Sequence, residues 1–216
     1  MNMHLVSVNV GKVQPIKAKS GMSGIYKLPQ SAPVPIGRLG LDGDAIVDVE
    51  NHGGVDQAVY IFGTPDYEWW SRSLKRELAP GTFGENLTIS ELESAAYSIG
   101  DRLWVGDVLL EVTSPRIPCV TLATRMGDPR FVVRFRKAER FGLYCRVIVP
   151  GAVQAGDTVR VERHEGDTIL ALEMFRLFYT KNYDEMILRR ALNAPLHHVT
   201  RREYEELLEA LVANLS

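Results

Sequence analysis

Residues Glu111 to Cys119, EVTSPRIPC, are the stretch on which the reading of this chain turns. Glu111, Val112, Thr113 and Ser114 have the character of a strand end, and Pro115, with no N–H to give, stops the ladder. Pro118 biases Ile117 towards an extended shape and fixes the backbone just before Cys119. The cysteine is thereby presented on a stiff, non-helical segment, three residues beyond Arg116. A nearby guanidinium favours thiolate over thiol, and thiolate is the form that attacks or binds metal. The competing reading of the same residues is a small hydrophobe in the core, because free cysteine is among the most buried residue types.

Around this stretch lie 216 residues, enough for one large domain or a domain with a small appendage. A hydrophobic share of 45% and a charged share of 24% are those of a soluble globular protein that can bury a core. With 25 basic against 27 acidic residues, there is no general electrostatic reason to bind nucleic acid or an anionic membrane. The two cysteines, Cys119 and Cys145, imply no disulfide framework. The N-terminus lacks a long apolar run and no later segment could span a bilayer. The expectation is a cytoplasmic protein in a reducing compartment.

Upstream, residues 4–10 alternate weakly and predict a first strand, followed by a second over 13–16. Residues 17–24, KAKSGMSG, form a loop whose N–H groups, hydroxyls and ammonium heads suit a phosphate, or which is simply solvated. The proline-rich residues 29–37 read as an extended connector. Gly40-Leu41-Asp42-Gly43-Asp44 then turns into a predicted strand, Ala45 to Val49. In Asn51-His52-Gly53-Gly54 the paired glycines let the backbone pass close to a ligand, and His52 either contacts it or is solvated. A strand is predicted over 58–62, then a helix from an N-cap at Thr64, with Pro65 at its first position, to about Leu78. Glu85 and Asn86, after Gly84 and before an apolar strand, make either a structural turn or a polar ligand shelf. Strands over 102–105 and 108–113 flank Gly106-Asp107 as a hairpin that leads into EVTSPRIPC.

Downstream, residues 116–140 carry seven basic against two acidic residues. Asp128-Pro129 starts a predicted helix that places Arg130, Arg134 and Lys137 on one face, solvated or facing an anion. A strand over 142–149 puts Cys145 in the core, and Gly156-Asp157 turns into a last strand over 158–162. The character then changes. Residues 167–216 show three amphipathic helical periods: Leu170, Met174, Leu177 and Phe178; then Leu188, Ala191 and Leu192; then Tyr204, Leu207, Leu208 and Leu211 behind a Thr200–Glu203 capping box. The predicted organisation is a body over 1–166 and a three-helix unit over 167–216. The latter's six basic and eight acidic residues argue against a DNA-reading helix-turn-helix.

Taken in order, GLDGD (40–44), NHGGVDQAVY (51–60), FGENLTI (83–89), IGD (99–101), EVTSPRIPC (111–119), RV (146–147) and AGDTV (155–159) resemble the MOSC family, the domain shared with the C-terminus of molybdenum cofactor sulfurases. The three-helix tail is similar to the extension of its YiiM-type branch, which is linked to detoxifying base analogues such as 6-N-hydroxylaminopurine. Gln57 departs from the Arg or Lys that relatives often carry. The resemblance implies a mostly β, barrel-like domain with a few helices, plus the small helical domain.

It further implies that the body binds the molybdenum cofactor. Cys119 would be the thiolate ligand to the metal, a reasonable match for a soft, sulfur-rich centre. The implied reaction is reduction of an N-hydroxylated base or amine, with oxygen leaving as water. No flavin or nicotinamide fingerprint is present, so a separate reductase would supply the electrons. Lys19, Ser20 and Ser23 are the first choices for the cofactor's phosphate, with Arg116 in the basic stretch as a second source. His52, Gly53, Gly54, Glu85 and Asn86 would rim the cofactor, His52 and Asn86 meeting pterin or substrate. The alternative is a non-enzymatic carrier holding cofactor or a persulfide on Cys119. A monomer or homodimer acting on a small molecule is expected in the first case.

Overall fold

The strand that carries the start of EVTSPRIPC, Val108–Pro115, is buried along its whole length and lies inside a sheet. The computed structural model describes residues 3–18, 20–48 and 52–213. Its strands are β1 Leu5–Gly11, β2 Gln14–Pro15, β3 Met22–Ser23, β4 Lys27–Pro29, β5 Val34–Gly37, β6 Gly40–Leu41, β7 Val59–Gly63, β8 Leu87–Ile89, β9 Arg102–Val105, β10 Val108–Pro115, β11 Leu143–Val149, β12 Gly151–Val153 and β13 Val159–Glu162. The helices are α1 Thr64–Leu74, α2 Val120–Met126, α3 Phe131–Ala138, α4 Ala171–Thr180, α5 Glu185–Asn193 and α6 His198–Ala213. None of them is long and apolar enough to cross a membrane.

Eight strands form one sheet in the order β13-β9-β10-β11-β7-β8-β1-β4. Its pairs are antiparallel except β7 with β8, which run parallel because α1 crosses between them. The sheet curls until β1 meets the start of β13: Leu5 N donates to Asp157 O at 2.8 Å and Val159 N to Met3 O at 2.9 Å. Among the described residues this barrel-like sheet does not close, since the His4–Thr158 bridge, not a strand ladder, joins the two. The predicted hairpin of strands 102–105 and 108–113 is present as β9 and β10, the second running on to Pro115, in register from Val108↔Val105 to Glu111↔Arg102.

Several local expectations are corrected. Residues 45–48 form no strand, and Val49 lies outside the described residues. The Asp44 side chain and the Ala45 N–H, which donates to Gly11 O at 2.8 Å, tie this segment across the chain instead of into a ladder. Helix α1 has Gly63, not Thr64, at its N-cap and stops at Leu74, where Lys75 turns left-handed at φ 53°. The proline-rich connector contains β5, which pairs with β6 and β12 in a small second sheet. Helix α3 starts later than expected, at Phe131 with Arg130 as its N-cap, and Asp128 Oδ1 accepts Arg130 N at 2.9 Å in the turn before it.

The core under the sheet is strongly aromatic. Phe62 stacks on Phe83 at 4.4 Å, and Trp70 lies 5.1 Å from Phe131 and 5.7 Å from Phe135. Residues of the tail join the same hydrophobic core. Phe175 of α4 stacks on Phe141 at 4.5 Å. The buried stripe of α4 is Ala171, Met174, Phe175 and Leu177; the expected Leu170 and Phe178 remain exposed. Helix α6 starts at His198, earlier than Thr200, because Asp56 of the body accepts His198 N at 2.8 Å and replaces the expected capping box.

Candidate functional site

Two cavities, each of about 520 Å³, meet at Cys119, His52, Gln57, Asp48 and Tyr144. The first is lined by segments drawn from several strands of the sheet and the loops beside them. Its walls come from residues 20–25, residues 44–48, Tyr60 on β7, Asn86 before β8, Arg116 after β10 and Tyr144 on β11. These segments touch backbone to backbone. A Cβ on Gly24 would lie 1.8 Å from Ala45 O, so only glycine permits that approach.

Asp44 organises this wall. Its Oδ1 accepts Gly11 N at 2.8 Å, and its Oδ2 accepts Asn86 Nδ2 at 2.9 Å and pairs with the buried Lys27 ammonium. Burial lowers the Lys27 pKa despite the opposing pull of Asp44. Asn86 Oδ1 in turn accepts Tyr60 N at 3.1 Å, so the carboxamide fastens β7 to the Asp44 loop.

Cys119 is the N-cap of α2 and is partly exposed to both cavities. Burial pushes its thiol pKa up, but the hydrogen bond with His52 and the charge of Arg116 outweigh burial and bring it down to about 6. By contrast, burial and the Glu111 charge push the Cys145 thiol well up, and that side chain is fully enclosed. Of the two readings of EVTSPRIPC, the geometry supports the activated thiolate for Cys119 and the core hydrophobe for Cys145.

Arg116 is 4% exposed. Its guanidinium lies 5.2 Å from the centre of the Tyr60 ring and bonds to Tyr144. Burial disfavours its charge, but Tyr60, Tyr144 and Cys119 more than restore it, so the guanidinium stays protonated. Its Nε and Nη1 are buried without a hydrogen-bond partner. A buried cation with unmet donors, beside a thiolate in an open cavity, is built to meet an anionic or acceptor-rich group.

Of the residues singled out by sequence, Ser20, Ser23, His52, Asn86, Arg116 and Cys119 line the first cavity. Lys19 lies outside the described residues. Gly53 and Gly54 do not line the cavity; Gly54, at φ 86°, opens the turn Val55–Gln57. Glu85 also stands apart from it. Its fully buried carboxylate accepts Tyr67 Oη at 2.5 Å, Gly81 N at 2.6 Å, Thr88 Oγ1 at 2.8 Å and Phe83 N at 3.2 Å, the bonding of a structural turn. Of the basic stretch 116–140, only Arg116 reaches the cavity; Arg134 pairs with Asp128 and Arg140 with Asp66. Sequence reading missed Lys27, Asp44, Tyr60 and Tyr144. Asp44 stood inside the quoted GLDGD, and Tyr144 is the out-of-phase neighbour of core Cys145 on β11; Lys27 gave no local signal.

A curled sheet that presents a low-pKa cysteine just beyond the end of β10 defines the class of domain, and comparison with known proteins specifies it. The MOSC domain family matches residues 48–160, and the chain belongs to that family. YflK of Bacillus subtilis, an uncharacterised protein, is 35% identical over 154 residues, covering 70% of each chain. YiiM of Escherichia coli is 27% identical over 193 residues, covering 88% of this chain and 85% of that one, which places the chain in the YiiM-type branch. A Gibberella moniliformis protein named as a reductase is 30% identical over 199 residues, and the chain spans only 35% of its length. The crystal structure of YiiM from Geobacillus stearothermophilus superposes with a TM-score of 0.78 at 24% identity, over 95% of this chain and 99% of that one.

Proposed function

We propose that the protein is a molybdenum-cofactor-dependent reductase of N-hydroxylated compounds such as 6-N-hydroxylaminopurine, with Cys119 as the protein ligand to the metal. The observation that carries this reading is the Arg116–Cys119 pair: a thiolate-prone sulfur and a buried cation with two unmet donors belong to residues that line one cavity. Membership of the MOSC family supports it, as the domain is associated with this cofactor. A cofactor rich in sulfur and phosphate oxygen fits such a donor set.

When bound, the cofactor supplies the two-electron chemistry that takes oxygen from the N–OH group, with electrons from a separate reductase and release of amine and water. The residues of the chain bind, orient and protonate. Cys119 would hold the metal. Arg116 would direct Nε and Nη1 at acceptor atoms of the cofactor. Lys27, Ser20 and Ser23 line the same cavity and would meet its polar parts, the phosphate included. Asp44 and Asn86 spend their polar atoms on the wall, so they position β7 and Lys27. His52 Nδ1 and Tyr144 Oη stand 3.5 Å apart at the junction of the cavities, where a proton can be held for the product amine or water.

A carrier that merely displayed cofactor or persulfide on Cys119 would not need a second cavity beyond the sulfur. The test is reduction of 6-N-hydroxylaminopurine by the metal-loaded protein with a chemical electron donor. Turnover that disappears in Cys119→Ala supports the enzyme; stoichiometric metal without turnover points to the carrier.

A further inference from the structure

Three side chains of metal-binding type meet where the tail joins the body. Asp56 comes from the turn Val55–Gln57, and His197 and His198 from the residues that open α6. One donor atom of each lies within 4.8 Å of the other two. Their backbones are fixed by the sheet. Thr113 of β10 accepts His197 N on its carbonyl at 3.2 Å, and its Oγ1 donates to Asp56 O at 2.5 Å. Arg146 of β11 donates to Pro195 O at 3.1 Å and Leu196 O at 3.0 Å, and it pairs with Asp56 Oδ1 at 2.9 Å. One carboxylate oxygen is thus spent on Arg146, while Oδ2 is turned to His198, 2.8 Å from its Nδ1. The His198 side chain is 67% exposed, so an ion from solvent can reach it. Burial and the neighbouring His198 lower the His197 pKa, so that ring is neutral at pH 7 and has a lone pair to give.

We infer that Asp56, His197 and His198 bind a divalent transition-metal ion of the zinc class, and that the ion locks the tail onto the body. Zinc takes imidazole nitrogens at about 2.0–2.1 Å and carboxylate oxygens at about 2.0–2.2 Å. Donors on one such ion stand roughly 3–4 Å apart. A cluster already inside 4.8 Å reaches that spacing by a turn of the exposed His198 ring. Magnesium and calcium favour oxygen donors, so the nitrogen pair selects against them. The ion takes the place of the hydrogen that joins His198 Nδ1 to Asp56 Oδ2. Arg146 opposes the added charge, but Glu111 Oε1, at 3.4 Å, shares that guanidinium. Its bond to Oδ1 orients the carboxylate, as outer partners of metal ligands do. None of the three ligands has been assigned above to molybdenum or its cofactor. Gln57, next to Asp56, and His197 line the second cavity, so the lock fixes part of that wall.

The test is zinc titration of the untagged, full-length, cofactor-free protein carrying Cys119→Ala, which removes the accessible thiol as a competing ligand; Cys145 is enclosed. Calorimetry should show one zinc ion bound per chain and no binding of magnesium at the same concentrations. His197→Gln and His198→Gln should each weaken zinc binding about tenfold or more. His198→Gln keeps the backbone N–H that Asp56 accepts, so it removes the metal ligand and leaves the cap of α6. Zinc should also slow amide hydrogen exchange across α5 and α6 in the parent, and should not do so in His198→Gln. Absence of stoichiometric zinc binding, or binding undiminished in either histidine variant, overturns the metal site. Zinc that binds there without slowing exchange in the tail overturns the lock.

Discussion

The Tyr60 ring faces Arg116, with 5.2 Å from guanidinium carbon to ring centre, and no carboxylate among the described residues forms an ion pair with that guanidinium. A ring face compensates a desolvated cation by only about 2 kcal/mol, while the desolvation itself costs several, and Tyr144 and Cys119 supply the remainder. Arg116→Met removes the cation together with its pull on the thiol, so the Cys119 pKa should rise while the cofactor-free protein stays within about 1 kcal/mol of wild type in denaturant titration. A clear loss of stability would mean that the guanidinium is a structural element.

The Cys119 thiol should titrate far below its ordinary value of 9.0, at about 6. Below that pH it is protonated and slow to alkylate; above it, the rate should reach a plateau. Iodoacetamide kinetics between pH 4 and pH 9, approximately the span set by the shifted and ordinary thiol values, check this directly. His52→Ala removes a hydrogen bond that favours the thiolate, so the midpoint should move up. Cys145, fully buried with its thiol pushed up, should not react in the folded protein.

Asp56 should hold the tail to the body. Its Oδ2 accepts both the N–H and Nδ1 of His198 at 2.8 Å, and its Oδ1 pairs with Arg146 at 2.9 Å. Asp56→Ala removes a helix cap and leaves Arg146 short of a partner, at a cost of about 2–4 kcal/mol. Burial works against its charge, but the two His198 bonds and Arg146 hold the carboxyl below its usual range. A depressed carboxyl pKa stabilises the fold above the unfolded value and loses that contribution as pH falls through the folded one. Denaturation at neutral and acidic pH should show the variant's deficit shrinking in acid.

Glu85→Gln should separate wall from site. The carboxylate has four donors around it, and an amide would turn one acceptor into a donor against them, costing about 1–3 kcal/mol. The Cys119 titration should not move. A shifted thiol pKa would return Glu85 to the site.

What the sequence disclosed depended on how local each cause was. Arg116 and Cys119 were legible because two prolines stiffen the same short segment, and the β9–β10 hairpin because Gly106-Asp107 marks its turn. Lys27 and Asp44 were not, because their pairing is made by the curl of the sheet and has no periodic signature. Glu85 looked like a ligand shelf because a carboxylate after glycine is the same in sequence whether its acceptors face in or out. The tail's helical periods were visible, yet Phe175 rather than Phe178 turned inward, since adjacent stripes of an amphipathic helix are chosen by the surface they meet. The start of α6 was set by Asp56, far away in sequence.

The central claim is that Cys119 holds molybdenum in this cavity, and metal and pterin analysis of protein produced in a host that makes the cofactor tests it most directly. Wild type should carry molybdenum and pterin in near-equal amounts, and Cys119→Ala, folded by the same spectroscopic criteria, should carry no molybdenum. Wild type purified repeatedly without molybdenum, or a Cys119→Ala variant that keeps its full complement, would contradict the account.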